Sequence, residues 1–233
     1  MKKKILGILG GMGPAASARF YSLITNFTKA ESDGEHIKIL ISSATDIPDR
    51  SDYILGNSTK SPLPKIIQNI EFLEHSGAEV IALPCNTAEY FRETVEMHCR
   101  APILHTVHEA CVFAAKTNVK KLGIMATNGT VKAEIYQKEL SLLGIDFVLP
   151  SAYWQETLHN IIYNGIKRSE KFEISDFFDV ANELMFHGCD AIALGCTELS
   201  LIPETKKYGK YNFIDSLEIL AKRAIKLCGY ELR

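Results

Sequence analysis

Residues 77–87 read GAEVIALPCNT, and residues 188–198 read GCDAIALGCTE. The two stretches share a glycine, an acidic residue, the run Ile-Ala-Leu and a cysteine, all at one constant offset. Each stretch starts as an apolar run of strand type and ends on a thiol beside small polar residues. Self-similarity over this distance predicts two copies of one structural unit.

Further pieces of the chain repeat at similar offsets. Residues 6–9 (LGIL) match residues 122–125 (LGIM), and residues 103–106 resemble residues 213–216. Stretches with helical periodicity lie between most of the apolar runs. This alternation predicts an α/β fold with two pseudo-symmetric lobes, each a parallel sheet flanked by helices. The predicted strands are 4–9, 37–43, 79–83, 102–105, 121–126, 145–149, 190–194 and 211–214, and the predicted helices are 14–29, 62–76, 88–99, 107–117, 131–143, 155–165, 172–187 and 216–228.

The repeat divides the chain into two lobes. Lobe 1 is expected to contain residues 1–100 and 210–233, and lobe 2 residues 101–209. In open α/β sheets, ligands bind beyond the carboxyl ends of the strands. Cys85 and Cys196 each follow such an end, so we expect them to face each other across a cleft that forms the active site.

The segment 44–61 (ATDIPDRSDYILGNSTKS) is the longest stretch without a clear period, and it is predicted to be a loop. Loops of this length are often functional. We expect this loop to be mobile without ligand and to become ordered over the cleft when a ligand binds.

The composition narrows the class of protein. Of the 233 residues, 46% are hydrophobic and 23% are charged, with a formal net charge of −2. Nucleic-acid-binding proteins usually have a basic surplus, so we expect no nucleic-acid partner. No apolar run approaches the roughly 18 residues that cross a bilayer, so we expect no membrane association. The start, MKKKILGILGGMG, lacks the apolar core of a signal peptide, which predicts a cytoplasmic protein.

The cysteine pattern predicts free thiols. The six cysteines form no Cys-x-x-Cys pair, and a chain of this length can bury a core without disulfides. Four of them have no polar motif around them and are expected to be small buried hydrophobic residues: Cys99, Cys111, Cys189 and Cys228.

Two other motifs are candidate sites. His105, His108 and Cys111 are spaced by three residues, but His105 ends a predicted strand, so we expect no metal site there. Residues 11–16 fit the G-x-G-x-x-A pattern of dinucleotide-binding proteins. The second strand ends in Ser-Ser-Ala without the acidic residue that would hold a ribose, so the glycines indicate a tight turn near a small ligand.

Two opposed thiols suit three kinds of chemistry. Redox exchange works best between close neighbours such as Cys-x-x-Cys, and a cysteine hydrolase needs a histidine that neither motif contains. Inverting a carbon stereocentre needs one acid/base group on each face, which two thiols supply. Helices starting near residues 88 and 197 would favour thiolates through their N-termini. Asn86, Thr87 and Thr197 are candidate donors to a substrate carboxylate or to the charge that develops on it.

Three motifs carry a resemblance to a known family. GILGGMGP at 7–14, LPCNTA at 83–88 and GCTEL at 195–199 resemble, in this order, the aspartate/glutamate racemase superfamily of cofactor-independent amino-acid racemases. The GGMGP start is typical of the aspartate racemase branch. The glutamate racemases of cell-wall synthesis have Cys-Thr-His in the second motif, whereas this chain has Cys196-Thr197-Glu198.

The resemblance implies a racemase acting without a cofactor, most like an aspartate racemase, in which Cys85 and Cys196 alternate as base and acid. Glutamate racemisation, broad specificity and a non-catalytic amino-acid-binding relative remain alternatives. The family anchors substrate carboxylates with an arginine after the second strand and a lysine in the second lobe. Arg50 and Lys167 match them, with Arg168 as a competitor for the second role.

The resemblance also places Met12 and Thr127 at equivalent strand ends lining the cleft, and Glu198 among the substrate-binding residues. Relatives are commonly dimers, so a homodimer is expected.

Overall fold

Each lobe is built around one parallel β-sheet, and the two sheets have the same strand order. The structure, a computed structural model, describes residues 2–206 and 209–233. Within the described residues, the first sheet has the order β2-β1-β3-β4 and the second has the order β6-β5-β7-β8. The predicted fold class is therefore confirmed, and the sequence repeat is a repeat of topology. The strands are β1 (Leu6–Gly10), β2 (Ile39–Ser43), β3 (Val80–Leu83), β4 (Ile103–His105), β5 (Lys121–Ala126), β6 (Asp146–Val148), β7 (Ala191–Gly195) and β8 (Phe213–Asp215).

The central strands β1, β3 and β7 are buried along their whole length. They are nearly continuous apolar runs because helices cover both faces of each sheet. The helices are α1 (Pro14–Phe27), α2 (Arg50–Leu55), α3 (Leu63–His75), α4 (Arg92–Met97), α5 (Thr106–Lys116), α6 (Asn128–Lys132), α7 (Ile135–Leu142), α8 (Ala152–Asn160), α9 (Ile174–Phe186) and α10 (Ser216–Leu227).

The two lobes exchange one helix each. Helix α5 follows β4 of the first sheet, but its buried face packs in the core of the second lobe. Helix α10 follows β8 of the second sheet and packs in the core of the first lobe. The expected boundaries placed both helices in these lobes, but they separated β4 and β8 from the sheets that these strands extend. Following the sheets, we propose that lobe 1 contains residues 2–105 and 216–233, and that lobe 2 contains residues 106–206 and 209–215 among those described.

The segment 44–61 is not a structureless loop. It contains α2, whose N-terminus is capped by Asp49, with Oδ1 accepting from the backbone N–H of Asp52 at 3.0 Å. Gly56 ends the helix with a φ of +80°. A helix of six residues is too short to show a period, which explains the incorrect prediction. Mobility of this segment before ligand binding remains a prediction.

Three other predicted helices differ in detail. The helix predicted over 88–99 begins as a 3₁₀ turn, Asn86–Phe91, and continues as α4. The helix predicted over 131–143 is divided into α6 and α7. The helix predicted over 155–165 starts earlier as α8 and ends in a π-helical turn, Ile161–Gly165, and a 3₁₀ turn, Ile166–Arg168. Among the described residues, every helix is too short or too polar to cross a membrane.

Candidate active site

A small cavity lies where the carboxyl ends of the strands of both lobes meet. The volume that the centre of a water molecule can occupy is about 10 Å³, so the cavity has room for about one water. All ten residues predicted from the sequence line it: Met12, Arg50, Cys85, Asn86, Thr87, Thr127, Lys167, Cys196, Thr197 and Glu198. Three further residues that the sequence did not single out complete the lining: Asp49, Ser51 and Tyr163.

The two thiols occupy equivalent positions but have opposite charges beside them. Cys85 and Cys196 are each 5% exposed. The positively charged Arg50 interacts with the sulfur of Cys85. Cys196 Sγ donates a hydrogen bond of 3.0 Å to Glu198 Oε2. Burial and the charge of Glu198 together raise the pKa of Cys196 well above its ordinary value, although Lys167 opposes them. Cys196 is therefore a thiol at neutral pH.

Glu198 is a buried carboxylate with unused hydrogen-bonding capacity. It is 4% exposed, and Oε2 also accepts from Thr197 Oγ1 at 3.2 Å. The other oxygen, Oε1, is buried without a hydrogen-bond partner. A β-carbon at Gly13 would lie 2.7 Å from Oε1, so the loop after β1 approaches this carboxylate closely. A buried carboxylate oxygen is costly without a donor, so Glu198 is suited to receive one from a ligand.

Arg50 is held by backbone carbonyls at the N-terminus of α2. Its Nη2 donates to the Met12 carbonyl at 2.7 Å, and Nη1 donates to the Pro48 carbonyl at 3.2 Å. Burial opposes its charge, but Cys85 and Asp49 raise the pKa of Arg50 above its ordinary value. The guanidinium is therefore charged, and its buried Nε has no partner.

Lys167 is the cation that the second lobe supplies. Its Nζ lies 3.7 Å from Asp49 Oδ2 and 4.0 Å from the centre of the Tyr163 ring. Burial opposes its charge, but the negative charge of Glu198 and the Tyr163 and Asp49 side chains raise the pKa of Lys167. Arg168, the competitor, is exposed and does not line the cavity.

A cluster of hydroxyl groups joins the two lobes beside the thiols. Thr87 Oγ1 lies 3.1 Å from Thr127 Oγ1 and 2.9 Å from Thr130 Oγ1. Ser51 Oγ donates to Thr127 Oγ1 at 3.2 Å, which bridges α2 and α6. A β-carbon at Gly129 would meet the Ser51 Cα at 2.6 Å, so the two helices touch backbone to backbone. The hydroxyls predicted to bind substrate thus also hold the lobes together.

The amide of Asn86 is fixed by its neighbours. Its Oδ1 accepts from the hydroxyl of Tyr136 at 2.9 Å, and its Nδ2 donates to Ser216 Oγ at 3.3 Å. Tyr136 is fully buried and Ser216 begins α10, so both lobes hold the amide in place. One N–H of Nδ2 remains for a ligand.

The helix N-termini expected beside the sulfurs are 3₁₀ turns, Asn86–Phe91 and Thr197–Leu201. The first continues as α4, whereas the second stands alone and carries little of a helix dipole. Stabilisation of a thiolate by a helix N-terminus therefore remains a prediction for Cys85, and both thiols also have a charged side chain beside them.

His105, His108 and Cys111 do not meet at one point. His105 pairs with Glu89 and Glu96, His108 pairs with Glu139, and Cys111 lies in the core of the second lobe. Within the described residues, no group of three or more His, Cys, Asp or Glu side chains has a metal-binding arrangement.

The family model of the Asp/Glu/Hydantoin racemases matches residues 9–224. The chain belongs to this racemase family. The broad specificity amino-acid racemase RacX of Bacillus subtilis is 27% identical over 226 residues, covering 95% of this chain and 96% of RacX. The glutamate racemase of a Sulfurihydrogenibium species is 26% identical, covering 69% of this chain and 64% of that relative.

Solved structures of racemases share the fold. The Picrophilus torridus aspartate racemase superposes with a TM-score of 0.88 at 31% identity, covering 99% of this chain and 96% of that chain. The glutamate racemase of Francisella tularensis in complex with D-glutamate superposes with a TM-score of 0.64 at 19% identity, covering 97% and 81%. The second likeness shows the fold alone. As a racemase of this family, the chain acts on small amino-acid substrates and is an isomerase.

The sequence contained partial signals for the three residues that it did not single out. Asp49 and Ser51 flank Arg50, and Tyr163 precedes Lys167 by four residues, which is about one helical turn. Asp49 and Ser51 contact Lys167 and Thr127 of the other lobe, and Tyr163 lies in a π-helical turn. The neighbouring sequence alone does not show these features.

Proposed function

We propose that this racemase acts on aspartate without a pyridoxal cofactor, using Cys85 and Cys196 as its two bases. The observation that carries the proposal is that two buried thiols, one from each lobe, line the same small cavity. A two-base racemisation needs one acid/base group on each face of the substrate's α-carbon.

In the proposed reaction, a thiolate on one side takes the α-proton and the thiol on the other side delivers its proton to the opposite face. The C–H electron pair stays on the α-carbon and is delocalised into the α-carboxylate. Arg50 and the free N–H of Asn86 are placed to stabilise that charge. Glu198 Oε1, which has no partner in this structure, is placed to accept from the substrate's ammonium group.

Two buried cations in one cavity favour an acidic substrate. Arg50 offers two or more N–H groups in a fixed plane, which suits a carboxylate, and Lys167 offers a point charge. Aspartate has two carboxylates to match them. Likeness to RacX favours broad specificity instead.

The deciding experiment is an assay of the purified, cofactor-free protein against a panel of D- and L-amino acids. We expect racemisation of aspartate above all others. Preference for glutamate or for neutral amino acids would replace the proposed substrate. Binding of aspartate without turnover of any amino acid would support a non-catalytic relative.

The two-base mechanism is tested by Cys85→Ser and Cys196→Ser in deuterated water. Each variant should lose racemisation by about 10²-fold or more, the usual contribution of a general acid or base. Each should still exchange the α-hydrogen of the one enantiomer that faces its remaining thiol. Cys99→Ser, a half-buried thiol outside the cavity, is the matched control. Racemisation at near the parent rate by either catalytic variant would refute the mechanism.

The same proposal includes a cytoplasmic homodimer with neither a nucleic-acid nor a membrane partner. Sedimentation at several protein concentrations measures the oligomeric state.

A further inference from the structure

A second small cavity also reaches Cys85 and shares no other lining residue with the first. Its free space is again about 10 Å³, which is room for about one water. Cys85, Glu89, Arg92 and His105 provide its polar lining side chains. One thiol of the proposed pair thus borders a second cavity, whose accessible surface is mainly apolar and whose lining includes Glu89 and His105.

His105 links this cavity to the surface. Its Nδ1 lies 3.3 Å from Glu89 Oε2, and its Nε2 lies 2.7 Å from Glu96 Oε1. The side chains of Glu89 and His105 are 7% and 10% exposed, whereas that of Glu96 is 47% exposed. An imidazole can take a proton at one nitrogen and release one from the other. The imidazole therefore connects Glu89, which lines the same cavity as Cys85, to Glu96, which is open to solvent.

The equivalent positions in the second lobe carry no such chain. Ser200 stands where the repeat places Glu89, and Asp215 stands where it places His105. Asp215 caps α10 through the backbone N–H of Leu217 at 3.0 Å and accepts from Ser200 Oγ. The strand-end turn therefore does not need an imidazole to fold. In the first lobe, Glu89 rather than His105 caps α5, since its Oε1 accepts from the Val107 N–H at 3.0 Å.

If the chain is a two-base racemase, as proposed above, its two thiols must exchange protons with solvent between turnovers. Consider the direction in which Cys85 takes the substrate's α-proton and Cys196 delivers its own. After the product leaves, Cys85 is a thiol and Cys196 is a thiolate. Before the same direction can run again, Cys85 must lose a proton and Cys196 must gain one.

We propose that Glu89, His105 and Glu96 carry the proton of Cys85 to solvent during this reset. The S–H bond of Cys85 breaks, and its proton passes through one water to Glu89. His105 takes it at Nδ1 while Nε2 releases a proton to Glu96 and then to bulk water. Water entering the emptied cleft gives one proton to Cys196, so the net charge of the enzyme does not change. Glu89 and His105 act on the reaction only through Cys85.

The test compares Glu89→Gln and His105→Gln with the parent enzyme. Glutamine at position 89 keeps an oxygen that can cap α5, so the fold is retained. Progress curves are recorded at rising total concentrations of both enantiomers. At high concentration, the product enantiomer binds again before the free enzyme has been reset, and the net rate of racemisation falls. The substrate concentration at which this fall begins therefore reports the rate of the reset. We expect that concentration to drop about tenfold or more in both variants.

The value of kcat/KM should stay within about twofold of the parent, because it contains only the steps from binding to product release. Asp215→Asn is the matched control in the second lobe and should change neither quantity. An unchanged onset concentration in both variants would overturn the proposal. An equal loss in kcat/KM would also overturn it, because it would assign Glu89 and His105 the role of holding Cys85 in place. Absence of racemisation in the parent would instead refute the proposed function.

Discussion

Asp49 pairs with Lys167, the residue that we propose binds a substrate carboxylate, and this suggests a direct test of how substrate binds. Its Oδ2 lies 3.7 Å from Lys167 Nζ. Burial opposes its ionisation, but Lys167 and Arg50 hold the pKa of Asp49 below its ordinary value, so the pair is charged at neutral pH. We expect a substrate carboxylate that binds Lys167 to compete with Asp49 for this cation. The substitution Asp49→Asn removes that competition and keeps the cap of α2, since asparagine caps helices as well as aspartate.

The size of the effect follows from the geometry. Two unit charges 3.7 Å apart interact by about 4.5 kcal/mol at an effective dielectric constant of about 20. The two side chains are 22% and 28% exposed, and fully exposed pairs contribute only about 0.2–1 kcal/mol. We therefore expect the substitution to strengthen substrate binding by about 1–2 kcal/mol, which lowers KM for aspartate roughly 5- to 30-fold.

The assay is initial-rate racemisation of aspartate by the parent, Asp49→Asn and Asp52→Asn. Asp52 lies on the same helix but is exposed, so its substitution removes the same charge without freeing Lys167. We expect its KM to change by less than about twofold, in line with the small contribution of exposed charges. An unchanged or increased KM in Asp49→Asn, with an unchanged Tm, would refute the idea that Asp49 competes with the substrate.

Two further substitutions test the surroundings of the thiols. Tyr136→Phe leaves the buried Asn86 Oδ1 without its donor and should lower the free energy of unfolding by about 1–3 kcal/mol, measured by urea denaturation against the exposed control Tyr21→Phe. Glu198→Gln removes one of the two causes that raise the pKa of Cys196, so that thiol should ionise at lower pH. Mass-spectrometric mapping of iodoacetamide labelling across pH should show the onset of Cys196 labelling at lower pH in the variant, and an unchanged onset would contradict the assigned cause.

The sequence was sufficient for the parts of this protein that depend on neighbouring residues. The strand ends that carry Cys85 and Cys196 are readable because a buried parallel strand is an apolar run and the polar residues that follow it mark its carboxyl end. The repeat then supplied the second lobe and its place opposite the first. The match of Arg50 and Lys167 to their expected cavity came from the family resemblance.

What the sequence did not show depends on tertiary contacts. The sequence did not assign β4 and β8 to their sheets, because a short apolar strand shows that it is buried but not which sheet it extends. The contact between Cys196 and Glu198 depends on a 3₁₀ turn that brings the two side chains together. Asp49 was missed because it lies in a segment with no period.

The two lobes share a topology, yet the charges around their thiols differ, and the proposed chemistry accounts for both facts. Removing a proton from either face of an α-carbon needs the same kind of group at the same distance, which a duplicated strand end provides. The two thiols must nevertheless hold one proton between them, since two thiols lack a base and two thiolates lack an acid. A positive charge from Arg50 beside Cys85 and a negative charge from Glu198 beside Cys196 favour one of the two mixed states. An enzyme biased toward one state must return to it after each turnover in that direction, and a route for protons behind Cys85 serves that return.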